Sequence, residues 1–209
     1  MDIYASDEEK GEEIKQWWRD NGRSVILSCV VGLAVIFSGR YWISHQQTLT
    51  SNASLTYQQV AIAIADDKMS LAEDKTQQLF SEFSSTPYAI FAAFEMAAQA
   101  VDAKDTASAK SYLEWIIGNS DLSAHTELAT LRLAQLLMTE ENYEQSLALI
   151  EQSESVAFAS LFSELRGDVL VAQGNAADAR AAYQEALADV SQGEPRQGIL
   201  QFKLNDVAK

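Results

Sequence analysis

Hydrophobic and polar positions divide the chain into one uninterrupted apolar block followed by a long series of short, two-faced segments. Between Arg23 and Arg40 lie sixteen residues without a charge. An arginine at the edge of such a run can carry its guanidinium out to the interface, so the predicted helix continues through Tyr41, Trp42 and Ile43. Residues 24–43 then span about 30 Å at helical rise, the thickness of a bilayer's hydrocarbon. Ten of these twenty residues are Val, Ile, Leu or Phe, and at roughly −0.3 to −0.6 kcal/mol each they favour insertion by about 3–5 kcal/mol. Arg23, Arg40, Tyr41 and Trp42 have the chemistry of interfacial anchors, and Ser28 and Gly32 form a small-residue pair on the span. A cleaved signal would have a short basic leader and small residues at its end. Here a mostly acidic leader precedes the run, and Phe37-Ser38-Gly39-Arg40-Tyr41-Trp42 closes it. A soluble core helix of this length would show a polar face, and only scattered Ser and Cys interrupt this one. A permanent membrane anchor is the expectation.

Beyond the anchor, amphipathic helices are predicted near 51–66, 71–84, 87–103, 106–118, 122–139, 143–152, 156–173, 176–190 and 196–206. Thr86 before Pro87 reads as an N-cap with proline in the first turn. Asn142 with Gln145, and Asn175 with Asp178, place a capping side chain three residues before an acceptor. No segment alternates as a strand does, so the fold class is all-α. A repeat underlies the helices. Gly167, Gly174, Ala179, Tyr183 and Ala186 fall at the offsets of a tetratricopeptide helix pair. Ala134, Ser146, Ile150 and Ser153 follow more loosely, as do Ala97, Ala109, Leu113 and Ile116. The small anchors Ala97, Ala134 and Gly167 recur near the 34-residue period of that repeat. Arg166 stands where an apolar residue is usual, the closing proline is displaced to Pro195, and a hairpin over 51–84 fits the pattern poorly. The expected architecture is a single transmembrane helix followed by a tetratricopeptide-like α-solenoid.

Stacked helix pairs curve and present a concave face built from the first helix of each pair. On this pattern Phe91, Phe94, Val101, Leu128, Leu131, Met138, Leu161 and Val171 line an apolar groove suited to extended or unfolded polypeptide. The alternative is that the same residues are ordinary core of a compact bundle.

Charge narrows the partners. The net charge is −15. The tail, residues 1–23, carries seven acids and four bases, and residues 44–209 carry 23 acids and ten bases. Such a surface repels nucleic acid and anionic lipid headgroups, leaving the membrane interior around 24–43 as the lipid partner. Four bases precede the apolar run, and none falls between Arg40 and Lys68. The positive-inside rule therefore predicts a cytoplasmic tail (1–23), a transmembrane helix (24–43) and an exported domain (44–209), periplasmic in a Gram-negative cell. The single cysteine, Cys29, lies in the anchor, so the exported domain cannot use disulfides.

Catalytic chemistry is not evident. His45 and His125 each lack a partner at metal-ligand spacing, and there is no glycine-rich phosphate loop, nucleophile elbow or Cys-x-x-Cys. Asp66-Asp67 and Glu140-Glu141 read as helix-end groups. No enzyme, cofactor or metal is expected. In the tail, Ile14, Trp17 and Trp18 share one helical stripe, either a second aromatic belt at the membrane or a face that docks a partner.

Met1-x-Ile3-Tyr4, then Lys15-x-Trp17-Trp18-x-x-Asn21-Gly22-Arg23, the apolar span and Arg40-Tyr41-Trp42 resemble the start of the ancillary SecYEG translocon subunit (YfgM-like) family. The resemblance continues through Leu165-Arg166-Gly167 and Gly174 to the C-terminus. It implies an inner-membrane protein whose periplasmic repeat domain associates with the SecYEG translocon and the membrane-anchored chaperone PpiD. It further implies transfer of unfolded exported polypeptides to periplasmic chaperones, and a cytoplasmic tail that restrains an envelope-stress response regulator. A regulator acting mainly through its tail, or a scaffold in envelope assembly, are the other readings open to such a chain.

Overall fold

The computed structural model describes residues 7–153, 156–190 and 193–207; Met1, Ile3 and Tyr4 of the N-terminal signature lie outside them. Among the described residues every regular element is an α-helix: α1 (Asp7–Ala65), α2 (Met69–Glu82), α3 (Pro87–Asp102), α4 (Thr106–Asn119), α5 (Ser123–Thr139), α6 (Tyr143–Glu151), α7 (Ala159–Ala172), α8 (Ala176–Ala188) and α9 (Arg196–Asp206). The helix expected near 51–66 is the C-terminal part of α1. The chain divides into two units, one ending at Ser51 and the other running Asn52–Lys209.

In the first unit α1 is long and apolar enough to cross a membrane once. Its side chains from Ile26 to Ile43 are all exposed. A helix in the core of a soluble fold would have buried them. On the span the Ser28 hydroxyl donates to the Ser24 carbonyl at 2.8 Å, the arrangement a hydroxyl needs in lipid.

The second unit is a series of helix pairs: the end of α1 with α2, α3 with α4, α5 with α6, and α7 with α8. The first helix of each pair ends identically. Asp67, Lys104, Glu141 and Gly174 adopt φ values of 57°, 60°, 62° and 78°. Their N–H groups donate three residues back, to Ile64, Val101, Met138 and Val171, and the next N–H of each turn donates five back, to Ala63, Ala100, Leu137 and Leu170. This is the Schellman closure, which satisfies the orphan carbonyls of a helix end. Only Gly174 adopts the left-handed conformation freely; the other three tolerate roughly 1–2 kcal/mol of local strain each, an indication that the hairpin packing on either side dictates the turn.

In each hairpin two residues stand sixteen positions apart: Val60 and Thr76, Ala97 and Leu113, Ala134 and Ile150, Gly167 and Tyr183; the last three pairs each pack together. All eight are buried. As the first-helix residue shrinks from Val through Ala to Gly, the second-helix residue grows from Thr through Leu and Ile to Tyr. At the last pair the fit is closest, since a Cβ on Gly167 would stand 2.4 Å from the Tyr183 ring. Twelve positions on, Ala72, Ala109, Ser146 and Ala179 are fully buried, which keeps the helices close. Ser146 is accommodated because its hydroxyl donates to the Ala134 carbonyl at 2.8 Å. The hairpin over 51–84, expected to fit the repeat poorly, shares the turn and buries Val60, Ala72 and Thr76 at the same offsets, with the sizes exchanged. Its Thr76 hydroxyl is buried without a hydrogen-bond partner, a cost the other pairs avoid.

Caps match the sequence in part. The Asn175 side chain accepts from the Asp178 N–H, and Asp105 likewise accepts from Ser108. The Thr86 hydroxyl instead donates backwards to the Phe83 carbonyl at 2.8 Å, and Asn142 donates its side-chain amide to Gln145 at 2.9 Å. Arg166 pairs with Glu185 across α7 and α8, which explains a charged residue at an apolar position.

α9 closes the open end. Leu200 is fully buried against Ala179, Tyr183 and Ala186, Leu204 and Val207 pack partly buried against the same cluster, and ion pairs add to this attachment. Lys203 Nζ lies 2.8 Å from Glu164 and 2.7 Å from Asp168, and Arg196 lies 2.8 Å from Glu164. Burial raises the Glu164 carboxyl, but the hydrogen bonds and charges of Lys203 and Arg196 outweigh it and hold the carboxyl below its ordinary range. Burial likewise lowers the Lys203 ammonium, and Asp168 and Glu164 reverse this, leaving it above the usual lysine value.

Two predictions follow from this packing. Gly167→Ala should destabilise the domain by roughly 1–3 kcal/mol through overpacking, and adding Tyr183→Leu, which recreates the Ala97–Leu113 pair, should recover most of the loss in denaturant unfolding. The depressed Glu164 pKa means that its contribution is complete above the free carboxylate range and disappears as pH falls through the folded value; the raised Lys203 pKa gives the opposite sign at strongly alkaline pH. Protection of the α9 amides against hydrogen exchange, corrected for the intrinsic rate, should fall below about pH 4, and Glu164→Gln should show reduced protection already at neutral pH with a smaller acid step.

Candidate functional site

The first helices of successive pairs meet along a ladder whose rungs recur at one register. Tyr57 on α1 donates its hydroxyl to Glu95 on α3 at 2.5 Å. Phe94 on α3 carries the Arg132 guanidinium of α5 at 5.1 Å from its ring centre. Leu131 on α5 shares a buried cluster with Leu165 on α7. Glu164 on α7 takes Arg196 and Lys203 of α9. Four contacts at equivalent places therefore use four chemistries: a hydrogen bond, a cation over a ring, an apolar contact and an ion pair.

Around the first two rungs the rings accumulate. Tyr57, Tyr88 and Phe91 stand with centroids 5.8 and 6.2 Å apart. Phe91 and Phe94 both meet the His125 imidazole edge-on, at 6.0 and 6.4 Å. Phe91 remains 40 % exposed, and the other members of the group are half-buried or exposed. Burial, then the hydrogen bond and charge of Glu95, push the Tyr57 phenol up to about 12, so it stays a neutral donor. Beyond Phe94 a cleft of ≈ 350 Å³ opens between α3 and α5, lined in part by Ala98, Val101, Asp102, Arg132, Gln135 and Thr139.

The eight groove residues chosen from sequence separate into three groups. Phe91, Phe94 and Val101 lie on this face or in its cleft. Leu131, 4 % exposed, is core between α5 and α7, while Met138 and Leu161 are partly buried against the same cluster. Leu128 is half-buried and Val171 exposed. A charge at Leu131 would thus test the fold and not the groove. Tyr57, Tyr88, His125 and Arg132 were not singled out for the face by sequence. Their signal is the spacing of 38 residues from Tyr57 to Glu95 and from Phe94 to Arg132, visible only once the hairpins are aligned.

In the first unit Ile14, Trp17 and Trp18 are exposed, as are Arg23, Arg40, Tyr41 and Trp42. Trp18 lies against Gly22, where a Cβ would come within 3.3 Å of its ring, and the Asn21 amide donates to the Trp17 carbonyl at 3.1 Å. Tyr41 stacks on His45 at 6.3 Å.

The profile of the family described as "Tetratricopeptide repeat-like domain" matches residues 15–209. The chain belongs to this family. Curated relatives extend the likeness over the whole length. A protein named ancillary SecYEG translocon subunit from Haemophilus influenzae is 26 % identical over 99 % of this chain and 100 % of the relative. Its namesake from Escherichia coli K12 is 24 % identical over 100 % of both, and that from Neisseria gonorrhoeae 26 % over 99 % and 100 %. The resemblance read from the tail signature and the repeats is therefore carried by whole-length similarity. No solved structure matches the chain.

Proposed function

We propose that this chain is an ancillary subunit at the SecYEG translocon, a membrane-tethered adaptor that receives newly exported polypeptides and passes them to periplasmic chaperones. The observation that carries the reading is full-length similarity to relatives bearing that name. In this reading residues 1–23 stay in the cytoplasm, 24–43 span the inner membrane, and 44–209 form the periplasmic domain. The exposed apolar surface of residues 26–43 meets lipid and translocon helices. The exposed aromatic face of α1, α3 and α5 receives unfolded segments, for which rings offer large, sequence-tolerant contact area. PpiD, anchored in the same membrane, is the chaperone expected beside it.

The exposed Ile14–Trp17–Trp18 stripe favours a second role for the tail, docking a cytoplasmic response regulator and restraining it.

Affinity isolation of the full chain from gently solubilised membranes should recover SecYEG and PpiD. A chain lacking residues 1–20 but keeping the span should recover both equally well. Loss of SecYEG on tail deletion would overturn the adaptor reading and leave a regulator that acts through its tail.

A further inference from the structure

The three rings at the start of the aromatic face are arranged for more than apolar contact. Tyr57, Tyr88 and Phe91 incline to one another by 38°, 62° and 88°, so no two are parallel. The Glu95 carboxylate sits beside them, accepting the Tyr57 hydroxyl. Ring faces carry negative quadrupole potential, and a carboxylate next to them deepens it; together they attract a desolvated cation. The fold uses this chemistry twice internally, in Arg132 over Phe94 at 5.1 Å and Lys203 over Tyr183 at 5.8 Å. Among the described residues no cation of the chain lies over the Tyr57–Tyr88–Phe91 group.

The surrounding charge has the same sign preference. Residues 52–153 hold fifteen acids and five bases. Of those bases, Lys68 and Lys110 are paired with Asp66 and Glu140, and Arg132 is committed to Phe94. The field over this part of the domain draws cations in and turns carboxylates away.

We propose that Tyr57, Tyr88, Phe91 and Glu95 form a subsite for a lysine or arginine side chain of the bound polypeptide, whose neighbouring apolar residue lies along Phe94 and Val101 toward the cleft. The proposal rests on the reading of this face as polypeptide-binding and adds its selectivity: apolar segments flanked by basic residues are taken, and acidic flanks or a chain-terminal carboxylate are refused. Ring faces supply the contact for the ammonium or guanidinium, and Glu95 supplies the counter-charge.

The test is fluorescence anisotropy on the full chain in lipid nanodiscs. The labelled peptides share one apolar core, flanked by lysine, by norleucine, which keeps the four-carbon stem without the ammonium, or by glutamate. The lysine peptide should bind about tenfold more tightly than the norleucine peptide, and the glutamate peptide most weakly. Tyr88→Leu and Phe91→Leu keep apolar bulk but remove the rings. Each should weaken the lysine peptide more than the norleucine peptide, bringing the two to within about twofold of each other, with helicity unchanged. Equal binding of the lysine and norleucine peptides to the unaltered chain would overturn the subsite and leave the face standing. A lysine preference that survives both ring removals would also overturn it, assigning selectivity to the general negative field. Failure of every peptide to bind would remove the polypeptide-binding face itself, and the subsite with it.

Discussion

The second unit depends on how closely the two helices of each hairpin can approach. One contact sets that distance: a residue in the first helix against the residue sixteen positions later in the second. Its volume is conserved by compensation, Val with Thr at one extreme and Gly with Tyr at the other. Interiors are packed at crystal density, so a methyl group gained on one side must be lost on the other. With the spacing fixed, the turn has little freedom left. This accounts for three non-glycine residues held at φ near 60° in the turns where Gly174 sits without strain.

Fixed hairpins stack in one dimension, each touching chiefly its neighbours, and the ladder between first helices distinguishes one junction from the next. A hydrogen-bonded Tyr57–Glu95 rung, a cation over Phe94, a leucine pair and an ion cluster are not interchangeable. Swapping two hairpins would bury an unpaired charge or strand a polar group, at a cost of about 1–3 kcal/mol or more. The same sequence of rungs distributes function along the domain. The third and fourth junctions are spent on core and cap, and the rings of the first two remain open to a partner. α9 fits this division: Leu200 and Leu204 join the apolar cluster beneath it, Glu164 and Asp168 hold its cations, and Ile199 and Phe202 are exposed, the latter at 72 %.

Most of the helix boundaries were legible because they are written locally, in proline, asparagine and glycine punctuation and in 3.6-residue periodicity. Pro87, Asn175 and Gly174 mark their turns directly. The hairpin of α1 and α2 was obscured because the small residue expected near position 60 is valine, and its large partner is threonine; the compensation is invisible until four pairs are compared. The continuity of residues 24–43 with 51–66 was also not to be had from sequence, which separates them, whereas both fall within α1. Among candidate site residues, Phe91 and Phe94 were found as large apolar side chains on the right helix face. Leu131 obeys the same rule yet is core, because α7 packs over it. His125 read as an isolated surface histidine, and its role as the edge joining Phe91 to Phe94 depends on a neighbour more than thirty residues away.

An exposed apolar stretch in the first unit and an open aromatic face in the second are two unsatisfied surfaces; in the proposed reading the first meets a membrane and the second a polypeptide. The central claim is that the second surface touches proteins in transit. A photoreactive phenylalanine analogue at Phe91, compared with one at Glu114 on the exposed side of α4, tests this most directly in living cells. Brief labelling followed by irradiation should give adducts with newly exported polypeptides from position 91 and few from position 114. Equal adduct yields from the two positions, or none from position 91, would contradict the account.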